Sequence, residues 1–194
     1  MHEIYLRKCT ITLMSRLFTL ILIGFLSLSF ISLDFEVGQV IDRYYDVPVY
    51  YNGNNFRNVT GRHVTKDGYN LGLKYQCVEY VKRFYYEVHD HKMPNSYGHA
   101  KELFNRELED VAFNAERGLM QYRNTRYEKP QEGDMLVYGA SRDNPFGHTG
   151  IICEVGTGHV VLIQQITELR HVKDWRLQSF KEFILSQITT YWVG

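Results

Sequence analysis

The sequence predicts an α+β fold, with helical segments ahead of an antiparallel sheet. Three observations carry that expectation. From Cys77 onward, Val78, Val81, Phe84, Tyr85 and Val88 recur at helical spacing, while Glu79, Lys82, Arg83 and Glu87 fill the other face. The last third holds three short strand-like runs, Gly133–Tyr138, Thr149–Val155 and His159–Gln165. Gly156-Thr157-Gly158 lies between the second and third, the composition of a hairpin turn.

The elements follow in chain order. Leu17–Leu33 is an almost wholly apolar run with no charged residue, preceded by Arg7, Lys8 and Arg16. That order is the order of an export signal, and the run is at the short limit for spanning a bilayer. Residues 1–35 are therefore expected to be a signal peptide or an N-terminal membrane anchor, and 36–194 the folded domain. Membrane contact is expected only through that segment, and an exported location, periplasmic or cell-envelope, follows. A buried core helix is the competing reading, but such helices seldom run this long without a polar face. Residues 36–60 read as an extended arm with turns, and 61–72 as a loop turning at Lys66-Asp67-Gly68. Ala100–Arg117 suggests one or two further helices broken near Asp110.

The chain has 194 residues, enough for one domain. Lys plus Arg equals Asp plus Glu at 22 each, so the basic footprint of a nucleic-acid binder is missing. A monomer is expected. The 15 Tyr and 11 Phe suit either a Tyr-rich core and rim or a groove that stacks on its substrate.

Of the cysteines Cys9, Cys77 and Cys153, only Cys77 stands where a helix begins. The helix dipole and free N–H groups there favour a thiolate. The same groups can bind the oxyanion formed on an attacked carbonyl, with Gln76 as a further donor beside Cys77. A buried structural cysteine is the plainer reading of such a residue. His148 follows Asn144-Pro145-Phe146-Gly147 and opens a strand, which suits a base aimed across at the helix start. The hairpin returns Gln164 and Gln165 toward His148, and a Gln carbonyl can fix the imidazole tautomer. Glu154 lies six residues along the strand, about 20 Å away and out of reach. Cys153 has the opposite parity to His148 and is expected to be a core thiol.

Three blocks then read together: Tyr69–Arg83 around Gln76-Cys77-Val78-Glu79, Pro130–Val137, and Gly147–Ile152. They resemble the CHAP family (cysteine, histidine-dependent amidohydrolases/peptidases) over residues 45–170. The resemblance implies a papain-like (CHAP/NlpC-like) α+β fold, with the nucleophile at a helix N-terminus packed on an antiparallel sheet carrying the His. It implies Cys77 as nucleophile, His148 as base and then acid, Gln76 and Cys77 as the oxyanion hole, and neither metal nor cofactor. The text around Cys77 is similar to the amidase domain of glutathionylspermidine synthetase/amidase. There the strand after the His carries Glu-Gln-Asn; here the stretch reads Gln164-Gln165-Ile166. A carboxylate is thus replaced by Gln164 as the third catalytic residue.

The expected substrate is a peptidoglycan peptide cut at an amide bond, with a glutathione–polyamine conjugate as alternative. A catalytically idle wall-binding module is the reading from another class. Metal binding through His89, His91 and His99 rests on a weak pattern, since histidines at a helix end are favoured by the dipole anyway.

Overall fold

In a computed structural model of the chain, residues 35–55, 57–124, 128–156, 159–165, 180–184 and 190–193 are described. The apolar segment 17–33 lies outside them, as do Thr157 and Gly158 of the expected hairpin turn. Among the described residues no helix is long and apolar enough to cross a membrane. Phe35–Gly194 forms one compact unit.

The arm folds into an antiparallel hairpin, β1 (Val40–Tyr44) with β2 (Val47–Tyr50). The stretch expected as a loop is a second hairpin, β3 (Arg62–Val64) with β4 (Asn70–Leu73), closed by a turn within the anticipated Lys66-Asp67-Gly68. Helix α1 (Cys77–His89) follows at once. Gln76 caps its start in an extended conformation. Asp90 ends it with φ 50, the left-handed region that Asp tolerates, and the Asp90 and His91 N–H groups both donate to the Tyr85 carbonyl.

Between Ala100 and Arg117 the structure differs from the expected helices. It holds one short 3-10 turn, Ala100–Leu103, and β5 (Ala112–Asn114). The buried Asn114 amide and Gln121 carbonyl bond each other across β5 and β6 (Leu119–Arg123), and the Arg117 side chain holds nearby backbone carbonyls. Long-range polar pairs therefore decide this segment rather than local propensity.

The main sheet is antiparallel throughout, in the order β10-β9-β8-β7-β11-β6-β5. Its central members are β7 (Met135–Tyr138), β8 (His148–Val155) and β9 (His159–Ile163), the three runs expected from sequence. β10 (Phe180–Ile184) and β11 (Thr190–Val193) complete it. One face packs Met135, Val137, Ile151 and Ile163 against Tyr80, Val81, Phe84 and Tyr85 of α1. Leu136, Ile152, Val160 and Leu162 cluster separately by strand alternation. The architecture is α+β.

Of the polar face expected on α1, only Glu87 is exposed to solvent. Glu79, Lys82 and Arg83 are 0%, 2% and 1% exposed. β4, β8 and β2 all pack on this helix, so these polar residues meet protein rather than water. Burying charge costs several kcal/mol per ion unless it is paired. The pairs are present: Arg83 Nε and Gln165 Nε2 donate to Glu79 at 2.7 and 3.0 Å.

Candidate active site

Cys77 is the first residue of α1, where backbone N–H groups have no partner within the helix. The backbone N–H groups of Thr149 and Val78 lie beside its sulfur and favour the thiolate. Thr149 directly follows His148, so the sulfur lies against the first peptide of β8. Cys77 and His148 both line one cavity of about 1490 Å³, together with Gln76, Gln164 and Gln165.

His148 pairs with Tyr138 across β7 and β8, and its ring lies 6.0 Å from the Tyr138 ring. The imidazole Nε2 donates to Gln164 Oε1 at 2.6 Å. A carbonyl oxygen only accepts, so Nε2 carries the proton of this bond. Two glycines make this geometry possible. A Cβ on Gly150 would lie 3.0 Å from Gln164 Cβ and from the Ile163 carbonyl, so β9 could not pass so close. Gly147 has φ +74, and a side chain there would strike the Tyr138 carbonyl.

Of the two glutamines, Gln164 meets the ring and Gln165 does not. Gln165 Oε1 accepts the Tyr50 N–H at 3.0 Å, and its Nε2 donates to the Gln76 carbonyl at 3.2 Å and to Glu79. It braces the end of β9 to β2 and to the capping residue of the nucleophile's helix. The Gln76 side chain donates to the Asn58 carbonyl at 2.7 Å, which fixes it at the cavity beside Cys77.

Burial pushes the Cys77 thiol up to about 11, and the N–H groups of Thr149, Val78 and Cys77 only partly offset this. This differs from the thiolate expected at a helix start. The dipole is present, but desolvation of the half-buried sulfur outweighs it. Burial thus biases Cys77 toward the thiol, a bias that a neighbouring base would have to overcome.

Cys153 is half-buried, packs against the core and donates to the Val161 carbonyl at 3.3 Å. Burial pushes its thiol up to about 12. Glu154 is paired across the sheet with Val161, at the far end of β8 from His148. Of the three histidines weighed as metal ligands, His89 and His91 share contact with Tyr85, and His99 lies elsewhere. His91 meets the Arg117 carbonyl at 2.8 Å, His89 packs on Phe84 and Tyr85, and His99 packs on Phe146. Among the described residues no three His, Cys, Asp or Glu side chains are grouped to hold a metal.

Sequence reasoning missed Glu79 and the Thr149 N–H. Glu79 sits in the first turn of α1 and is bonded by His63 Nδ1 at 2.7 Å as well as by Arg83 and Gln165. Its i, i+4 spacing to Arg83 was the available signal. Solvent-face spacing concealed it.

The family model of the CHAP domain matches residues 66–166. Among curated proteins, a trypanothione synthetase of Crithidia fasciculata is 31% identical over 121 residues, covering 61% of this chain and 18% of that protein. The chain thus spans under a fifth of that relative's length.

Proposed function

The chain belongs to the CHAP domain family and is a cysteine amidase hydrolase, and from that premise we propose that Cys77 is the nucleophile, His148 its base and Gln164 the residue that orients the base. The observation that carries this reading is the junction of the elements. The Thr149 N–H, next to His148, lies beside the Cys77 sulfur, and Nε2 of that imidazole is held by Gln164.

The steps follow from the geometry. His148 Nδ1 takes the Cys77 proton as the sulfur attacks the amide carbonyl. The Cys77 N–H and the Gln76 side chain receive the oxyanion. The imidazolium then protonates the departing amine, the C–N bond breaks and a thioester remains. Water, deprotonated by His148, attacks the thioester and releases the acid. Gln164 steers the ring but brings no negative charge, so it stabilises the imidazolium less than a carboxylate would. The fold is read as papain-like on the strength of the family.

For the substrate, we read an amide in peptidoglycan peptides, reached by export through residues 1–35. The apolar Leu17–Leu33 run after three basic residues supports this. A second reading, a glutathione–polyamine amide, is favoured by the match to a trypanothione synthetase. The test is mass analysis of products after the domain lacking residues 1–35 meets purified wall or glutathionylspermidine, with Cys77→Ala as control. New amine ends on wall peptides support the first reading. Spermidine release with intact wall transfers support to the second. No product from either substrate removes both readings.

A further inference from the structure

The cavity around Cys77 is uneven in charge. One wall is built by β3, β4 and the Asn95–Gly98 loop, and Arg57, Arg62 and Tyr97 line it. Glu102, Asp143 and Arg106 line the cavity as well, and the Glu102 carboxylate accepts the His99 N–H at 2.9 Å beside the same loop. Arg62 is paired with Leu73 in the β3–β4 register, and Leu73 accepts the Gln76 N–H at 2.9 Å. The guanidinium thus stands at the approach to the catalytic turn.

Its posture is fixed from two sides. Nη1 donates to Asn70 Oδ1 at 3.0 Å, and the guanidinium carbon lies 5.7 Å from the centre of the Tyr97 ring. Among the described residues no carboxylate pairs with Arg62. Two buried cations stand behind this wall. Lys82 donates to the carbonyls of Asn70 and Ser96, the latter at 2.7 Å. Arg117 donates to the carbonyls of Asn95, Tyr97 and Glu102. The near carboxylate of Glu116, 3.5 Å from Arg117, points outward and is mostly exposed. Burial, then the charges of Arg117 and Arg62, pull the Lys82 ammonium down to about 8, so the three cations feel one another.

We propose that this wall is a subsite for a carboxylate of the substrate, received by the Arg62 guanidinium beside the scissile amide. The subsite rests on the reading of Cys77 as the reactive group of the same cavity. A guanidinium held by Asn70 and stacked on Tyr97 offers its remaining N–H groups to a planar anion with little further ordering. Lys82 and Arg117 have their donors turned to backbone carbonyls, so they contribute field, not contact. The subsite selects a substrate that is anionic on one side of the amide.

The test uses the full-length protein and two alkylating probes of near-equal size, anionic iodoacetate and neutral iodoacetamide. The ratio of their rates at Cys77 reads the local field. Arg62→Met lowers the iodoacetate-to-iodoacetamide ratio by about five-fold at low salt, as expected for loss of one nearby charge. Arg62→Lys retains most of the ratio, Arg43→Met on the exposed β1 strand leaves it unchanged, and added salt shrinks the wild-type preference. An unchanged ratio in Arg62→Met, with both probes still fast, overturns the subsite and leaves the nucleophile standing. If both probes react with the wild-type Cys77 as slowly as with an ordinary thiol, the reactive group itself is wrong and the subsite falls with it.

Discussion

With Nε2 committed to Gln164 at 2.6 Å, Nδ1 is the nitrogen we propose as the base. The Cys77 thiol needs that base, because burial sets it at about 11. Without the imidazole, ionisation must follow bulk pH. In His148→Ala the alkylation rate of Cys77 should therefore climb about tenfold per pH unit and level off only near 11. Rate–pH curves with iodoacetamide check this, and a plateau near neutrality in the variant contradicts it. Gln164→Ala should lower kcat by about tenfold, less than His148→Ala, because it disturbs the tautomer but leaves the base. Gln164→Glu should restore or exceed the wild-type rate, since a carboxylate also stabilises the imidazolium. At this scale the sequence was informative about identity. Cys77, His148 and Gln164 stood out as the start of a helical pattern, the entrance of a strand and the end of its partner. The sulfur's desolvation was not legible, because it depends on β8 closing over the helix start.

At the level of elements, α1 is held by charge as well as by apolar packing. Burial works to raise the Glu79 carboxyl, but His63 and Arg83 outweigh it and hold it below the usual carboxylate range. The unfolded chain therefore binds its proton first as the pH falls. The Glu79 contribution is fully present above about 4.3, the ordinary carboxylate value, and is lost as pH falls through the lower folded value. Glu79→Gln leaves Arg83 buried without its counter-charge and should lower stability by about 3 kcal/mol at neutral pH. It should also flatten the acid limb of stability against pH in urea titrations. An unchanged midpoint would show that the pair contributes nothing. The helix itself was readable from Val78, Val81, Phe84, Tyr85 and Val88. The fate of its polar residues was not, since 3.6-residue periodicity assigns one buried face and this helix is enclosed by three strands. For the same reason Ala100–Arg117 was misread as helical. Asn114, Arg117 and Gln121 make their deciding bonds at a distance in space.

For the whole molecule, the sheet sets the distance between nucleophile and base. Ile151 of β8 is fully buried against α1, and it faces Met135 and Ile163 on neighbouring strands. Ile151→Ala should cost about 2–5 kcal/mol of stability and lower turnover more than the loss of folded protein explains. Thermal melts and specific activity per folded molecule separate the two effects. The order of helix before sheet, and the hairpin of β8 with β9, were plain from alternation and the glycine-bearing turn. The seven-strand order was not, because β11 inserts between β7 and β6 from the chain's end, and no local pattern announces such a pairing.

Site-resolved alkylation by iodoacetamide at pH 7, read by mass spectrometry on wild type and His148→Ala, addresses the nucleophile directly. Cys77 should label about a hundredfold faster than Cys153 in the wild type, and His148→Ala should cut the difference to about tenfold or less, that expected of thiols at about 11 and about 12. Equal labelling of the two cysteines in the wild type, or fast Cys77 labelling that survives loss of His148, would contradict the pairing of sulfur and imidazole.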